Sequence, residues 1–439
     1  MTINAAPRAL LLAALLLSAA TARADEPAAA GSGLRFNGYG TLGVVHTDIS
    51  QPGWHFARDA AQKPDFGSLQ TGTDTRLGLQ VNWTLSSQFE AVAQAVLRQQ
   101  DPDASAARAI DWAFLAWRPD ADWTLRLGRT GPDIFLLSDR RGVGYTYPWA
   151  RPSVEFYGWM PLPAIDGVDL QRAWRLGDAD WRARVGAGSS STLVGLTRYP
   201  GRPAEDAATR VDLRGIRFAT VTREADGLTL KATWVRVRLT LFEARWVPLR
   251  AALDGLIGLG VPGVSDEAAA FRAAVDLERK NVGYAALAAA YETGPWQLSA
   301  ELSRVSGQAK GANGLRSYVS LGWRHGELMP YAMLSRVRAA EPAAQTPTWA
   351  ATLAPLIGPL AAADVQALAV GAAVAVNSTR FDQRSVALGL RWDLHPQMAL
   401  KLQWERVRVG GGGAASWANV FTNEPATARV ATVALDFVF

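Results

Sequence analysis

From Thr75 to Trp83 the chain alternates residue by residue. Leu77, Leu79, Val81 and Trp83 fall on one side, and Arg76, Gly78, Gln80 and Asn82 on the other. Ser385 to Leu394 repeats the pattern, with Val386, Leu388, Leu390, Trp392 and Leu394 opposite Ser385, Ala387, Gly389, Arg391 and Asp393. Successive side chains of a strand point to opposite faces, so this period predicts strands with one greasy and one wet face. Sixteen such segments start near Leu34, Thr75, Ser87, Ala109, Asp122, Asp166, Ala179, Val211, Asp226, Arg279, Trp296, Leu315, Glu327, Asp382, Gln397 and Thr427. Each runs for roughly ten residues, the length a tilted membrane strand needs. An even number of such strands closes without leaving a hydrogen-bonding edge in lipid. The expected fold is therefore all-β, a 16-stranded antiparallel transmembrane β-barrel.

The connections sort by parity. Tight turns follow the even strands, around Leu85 to Ser87, Pro119 to Ala121, Leu176 to Asp178, Glu224 to Ala225, Thr293 to Pro295, Gly326, and His395 to Pro396. Longer loops follow the odd strands, including Asp48 to Asp74, Gly131 to Ile165, Ser189 to Arg210, Leu241 to Glu278, Arg338 to Phe381 and Gly410 to Ala426. Short inner turns and long outer loops are the pattern of outer-membrane barrels. Aromatic pairs bracket the turns: Trp83 and Phe89, Trp117 and Trp123, Trp174 and Trp181, Tyr291 and Trp296, Trp323 and Tyr331. They predict a girdle at the lipid-water boundary, where a ring is buried and its polar edge stays wet.

Composition narrows the class further. Residues 1–24 read as a secretory signal peptide, with Arg8, an apolar run from Ala9 to Leu17 and a small-residue end at Ala22-Arg23-Ala24. That core is too short to span a bilayer as an ordinary helix. Residues 25–439 are then the barrel. Without Arg8 and Arg23 the 45 basic residues become 43, against 40 acidic ones, with no long cationic run, so nothing marks a nucleic-acid binder. There is no Cys, and His46, His55, His325 and His395 lie far apart, so neither a disulfide scaffold nor a metal-ligand spacing is present. No G-x-S-x-G, H-E-x-x-H or phosphate-loop motif stands in its required context, so no enzyme and no cofactor is expected.

Two outer loops, over residues 249–280 and 349–376, are rich in Ala and Leu, broken by Gly and Pro, and read as short helix pairs. Pro355, Pro359 and Asp364 argue against a membrane helix in the second.

Residues 131–163, GPDIFLLSDRRGVGYTYPWARPSVEFYGWMPLP, are too rich in Pro and Gly to continue the strands on either side. The segment from Leu127 to Gly158 resembles the third loop of proteobacterial general outer-membrane porins, and RFNGYGTLGVVHTD (Arg35 to Asp48) resembles their first strand. The PEFGG signature of the enteric members is absent. The resemblance implies a third loop folded into the barrel at its narrowest point and a homotrimer. The end of the chain, ATARVATVALDFVF, resembles the terminal strand of Gram-negative outer-membrane proteins. That implies Phe437 and Phe439 as part of the signal read by the barrel-insertion machinery, and outer-membrane lipid and lipopolysaccharide as surroundings.

A water-filled pore selects ions by fixed charge and solutes by width. The constriction candidates in the loop are Asp133, Asp139, Arg140, Arg141, Arg151 and Glu155, each of which either faces ions or pins the loop to the wall. On the wall, inward by alternation, are Arg35, Arg76, Glu90, Arg98 and Arg126. A further basic set, Arg236, Arg238, Arg304, Arg336, Arg338, Arg406 and Arg408, lies where strands approach the outer loops. Its parity conflicts with its neighbours, since Trp234 would share a face with Arg236 and Trp404 with Arg406. Either a bulge shifts the register there or the strands pass above the hydrocarbon, and the arginines form a basic outer vestibule that attracts anions, or meet anionic lipopolysaccharide, or make inter-loop salt bridges. The function expected is passive diffusion of small hydrophilic solutes and ions through an outer-membrane channel. The alternatives are a substrate-selective porin of the anion or phosphate type, in which eighteen strands also occur, and an interaction protein acting through its outer loops.

Overall fold

The computed structural model describes residues 33–48, 69–98, 109–159, 162, 164–195, 208–242, 246–415, 420–422 and 424–439. The expected signal peptide and most of the first outer loop lie outside the described residues.

Sixteen strands form a ring: β1 (Leu34–Thr47), β2 (Arg76–Thr84), β3 (Phe89–Arg98), β4 (Ile110–Trp117), β5 (Trp123–Thr130), β6 (Ile165–Leu176), β7 (Ala179–Gly195), β8 (Ala208–Ala225), β9 (Leu228–Leu241), β10 (Lys280–Thr293), β11 (Trp296–Gly307), β12 (Gly314–Trp323), β13 (Leu328–Ala339), β14 (Gln383–His395), β15 (Met398–Val409) and β16 (Ala426–Val438). Each pairs antiparallel with the next, and β16 pairs with β1, so the sheet has no open edge. A two-residue strand, Leu69–Gln70, continues the β2 side of β1 beyond a break.

The two faces differ as the alternation demands. On β15, Lys401, Gln403, Glu405 and Val407 are buried, while Leu402, Trp404, Arg406 and Arg408 are exposed. On β11, Glu301, Ser303 and Val305 are buried, whereas Leu302 and Arg304 are exposed. The exposed band of Leu79, Leu127, Leu287, Leu302, Leu334 and Leu388 is more apolar surface than a soluble domain tolerates, and lipid is the solvent that suits it.

The even-strand turns are tight. Asp226 and Gly227 join β8 to β9 with φ of 50° and 74°, the left-handed pair that a two-residue hairpin requires. Girdle rings meet across neighbouring strands at that rim, Phe89 with Trp117 at 6.5 Å, Trp174 with Trp181 at 6.2 Å and Trp296 with Trp323 at 6.4 Å. Tyr331 departs from the girdle expectation. Its position on β13 has inward parity, and it is buried inside the barrel.

The seam between β1 and β16 is closed by small residues under large ones. Gly38 exchanges backbone hydrogen bonds with Phe439 at 2.7 and 2.9 Å. A Cβ on Gly38 or Gly40 would fall 2.1 Å from the Phe439 ring or 2.3 Å from the Phe437 ring, so only glycine fits beneath these rings.

Outside the ring, besides two 3-10 turns (Gly144–Thr146 and Lys310–Ala312) and a small two-stranded sheet (Gly413–Ala415 with Val420–Thr422), the described structure has five α-helices: α1 (Val154–Tyr157), α2 (Val247–Gly258), α3 (Val264–Ala274), α4 (Trp349–Ile357) and α5 (Pro359–Asn377). The last four belong to two long loops and bury a shared core of Leu253, Leu256, Ala268, Trp349, Leu353, Ala369 and Ala372. Pro355 falls inside α4, and Gly358, at φ 81°, breaks the chain before Pro359 opens α5. By length and composition α5 could cross a membrane, yet one side of it packs into this helical core.

Candidate functional site

The segment between β5 and β6 cannot form a strand, because Pro132, Pro148 and Pro152 lack the donors a ladder needs. It makes a short turn of helix instead, α1, one of whose free amides is capped by Ser153 accepting from the Phe156 N–H at 3.2 Å. Its bonds run around most of the ring. Asp133 meets Lys231 on β9, and the Leu136 N–H donates to Glu301 on β11 at 3.0 Å. Trp149 Nε1 donates to Ser320 on β12 at 2.6 Å, and the Ala150 N–H to the Tyr331 hydroxyl on β13 at 3.1 Å. Gln383 on β14 donates to Glu155 at 2.6 Å, and Arg76 on β2 donates to the Gly142 carbonyl at 2.6 Å. A segment can reach so many strands of a closed ring only from within it.

Three features hold the segment there. The Lys401 ammonium on β15, fully buried, donates to the carbonyls of Gly144 (2.6 Å), Tyr147 (2.6 Å) and Trp149 (3.0 Å), and lies 2.9 Å from Asp436 on β16. Arg151 reaches Asp74 through Nε at 3.1 Å and through a second, shorter bond from Nη2. Around these charges Ile134, Phe135, Trp149, Phe156 and Tyr157 pack against Phe218, Tyr284, Tyr318 and Met333 of the wall. Burying several such side chains supplies on the order of 2 kcal/mol each, so the segment is a packed part of the structure and fills one side of the lumen.

The six loop candidates therefore separate into two groups. Asp133, Arg151 and Glu155 are buried and bonded to protein. Burial acts to raise the Asp133 carboxyl, but the nearby Lys231 and Arg184 charges outweigh it and hold Asp133 below the ordinary carboxylate range. Burial wins at Glu155 and raises its carboxyl, against hydrogen bonds from Gln383 and Ser153. Asp139 and Arg140, by contrast, are exposed, and half-buried Arg141 follows them, lying 5.9 Å over the Phe135 ring. Asp139 and Arg141 line a cavity of about 90 Å³ between the segment and the wall, together with Arg76, Arg98, Asp111 and Trp112 among others.

The wall candidates all have inward parity, and carboxylates answer the arginines other than Arg76. Glu90 meets Arg35 at 3.2 Å and Arg118 at 2.8 Å. Arg98 pairs with Asp111, and Arg126 with Asp169 at 3.0 Å, where Arg184 joins at 2.9 Å. Arg76 is spent on the loop rather than on the lumen. The wall opposite the segment is a field of alternating sign, not a basic surface.

The seven arginines of the expected outer vestibule stand elsewhere. Arg236, Arg238, Arg304, Arg336, Arg338, Arg406 and Arg408 are all exposed and share the outward parity of Trp234, Leu302, Leu334 and Trp404. A register shift does occur at this level, but it lies in β8. There Arg217 is opposite Arg236 and Arg214 opposite Arg238, with Gly215 at φ 58° between them, so β9 keeps its alternation and the arginines stay outside.

Lys401, Asp436, Asp74, Lys231 and Glu301 carry the loop's anchorage and were not singled out by sequence. Four of them sit at inward positions of strands, so parity alone marks them as charges that need an interior partner. Asp74 lies in the break before β2 and gave no periodic signal.

No family model matches the chain, and no curated protein matches it. Among solved structures, OmpF of Salmonella typhi, determined with daunomycin, is 10% identical and superposes with a TM-score of 0.50 over 93% of this chain and 98% of that one. The anion-selective porin of Comamonas acidovorans is 13% identical at a TM-score of 0.49, covering 93% and 100%. The outer-membrane channel DcaP of Acinetobacter baumannii is 10% identical at 0.48, covering 94% and 99%. The chain has the porin fold.

Proposed function

We propose that this barrel stands in the outer membrane of a Gram-negative bacterium as a water-filled channel, and that small hydrophilic solutes and ions cross it by passive diffusion. The observation that carries the reading is the placement of Asp139, exposed on a segment most of which is buried inside the ring, at a cavity it shares with the Arg98–Asp111 pair on the wall. Opposed fixed charges across a narrow wet gap set up a transverse field, which orients polar solutes and disfavours apolar ones. Width is set by a loop that the wall holds at many points, so it is a fixed property rather than a gated one. The resemblance of the segment to the third loop of general porins agrees with this role, and with it comes a homotrimer as the working assembly.

The test is conductance of the purified protein in planar bilayers, with reversal potential in a salt gradient and liposome swelling in neutral sugars of increasing size. Ohmic conductance with a sharp size limit supports the reading. Saturation by one anion at low concentration would replace it with a substrate-selective channel, and no conductance at all would sink it.

A further inference from the structure

Arg316, on the inward face of β12, is a buried cation with too few partners. It is only 2% exposed, and the hydrogen bond it makes among the described residues runs from Nη2 to the Ala312 carbonyl at 3.4 Å. Its Nε and Nη1 meet no acceptor, and no carboxylate among the described residues pairs with it. A charge held away from water without a counter-charge is strongly destabilising. Elsewhere inside the barrel the chain supplies the counter-charge itself, as Asp169 for Arg184 and Asp133 for Lys231. Here the carboxylate on the adjoining strand, Glu301, is occupied by the Leu136 N–H and by the Tyr157 and Tyr318 hydroxyls.

Three further polar groups gather around Arg316. Ser303 on β11 is its cross-strand partner, and Tyr284 on β10 stands two residues from Ala286, which pairs with Ser303. Trp159, just past α1, lies with its ring 4.0 Å from the Arg316 guanidinium carbon and 6.1 Å from the Tyr284 ring. Ser303 Oγ, Tyr284 Oη and Trp159 Nε1 are buried and make no hydrogen bond. Guanidinium and indole N–H groups can only donate, and the two hydroxyls can donate as well. Val237, Leu239, Val282 and Val305 of the same cluster make the surrounding wall apolar. Donors around one positive charge in a dry wall call for an acceptor that carries a negative charge. Water would accept from two of them and leave the charge unanswered. The indole covers one side of the guanidinium and little of Arg316 reaches solvent, so the ligand is no larger than a single halide ion, which takes donors from any direction.

We propose that Arg316, Ser303, Tyr284 and Trp159 form a binding site for one small inorganic anion of the size of chloride. Bound there, the anion ties the end of the inward segment, through Trp159, to β10, β11 and β12. The site is closed to the water of the lumen, so it does not sort permeating ions. It stands on the packing of the fold whether or not the barrel conducts, and its failure is distinguishable from that of the channel reading.

The experiment melts the full-length protein in non-ionic detergent, in sodium gluconate and in sodium chloride of equal ionic strength. The wild type is expected to melt several degrees higher in chloride, with a rise that grows as the logarithm of chloride concentration once the site is filled. Arg316→Met removes the charge and keeps an apolar side chain in its place, and its melting should not respond to chloride. Crystals grown with bromide in place of chloride should show an anomalous peak within hydrogen-bonding distance of Arg316 in the wild type and none there in the variant. Equal melting of the wild type in the two salts, a chloride response that survives in Arg316→Met, or bromide found at exposed positions alone, an adventitious ion only, would each overturn the proposal. If Arg316→Met does not fold, Tyr284→Phe/Ser303→Ala keeps the charge and removes two donors. The chloride concentration giving half the rise should then increase about tenfold, and an unchanged midpoint overturns the site.

Discussion

Arg151 and Asp74 form an ion pair inside the barrel, their side chains only 1% and 0% exposed, between the inward segment and the break that precedes β2. Removing one partner of such a pair strands a charge away from water, which costs about 3 to 5 kcal/mol. Asp74→Ala is therefore expected to loosen the segment. Single-channel records should show added noise and a shifted mean conductance, and limited proteolysis should cut within residues 131–159. The paired change Arg151→Met with Asp74→Leu removes both charges and should restore a quiet channel. Noise as large in the double variant as in the single one would mean that the pair is not what holds the segment.

Asp139 and Arg140 differ from the other loop charges in reaching water. A unit charge acts on an ion 4 Å away with about 1 kcal/mol even at the dielectric constant of bulk water, roughly fivefold in local ion ratio. Asp139→Asn should move the permeability ratio toward anions, and Arg140→Gln should move it toward cations, each read as a shift in reversal potential. Glu155→Gln, at a carboxyl buried against Gln383 and Ser153, should leave the ratio where it was. A selectivity change at Glu155 rather than at Asp139 would displace the constriction from where the exposed charges put it.

The strands were legible because membrane barrels obey a rule of period two that nothing else in the chain competes with. Segments expected near Thr75, Ser87 and Gln397 begin at Arg76, Phe89 and Met398. The conflict at WVRVRL was legible too, since Trp234 and Arg236 do share the outward face. Which loop charges face water was not legible. The segment has no period, and its side chains are oriented by partners far away in sequence: Arg151 by Asp74, Glu155 by Gln383, Tyr147 by Lys401. Tyr331 misled for a related reason, because an aromatic beside a turn suits either the girdle or the lumen, and only its parity with Met329 and Met333 separates the two.

The helical cap offers a test of how far the outer loops matter to the pore. Trp349 is buried among Leu253, Ala268 and Ala369, packs edge-on against Phe271 at 6.0 Å, and donates from Nε1 to Glu267 at 2.9 Å. It thereby ties α4 to α3, which belong to different loops. Trp349→Ala in a packed core costs about 3 to 5 kcal/mol, while α2 to α5 each have too little buried surface of their own to hold their places once the shared core is opened. Helical signal in circular dichroism and protection of residues 247–274 from protease should fall together. The inward segment is bonded to the wall and not to this core, so bilayer conductance should persist. A variant that lost conductance while its barrel remained folded would make the cap part of the permeation path.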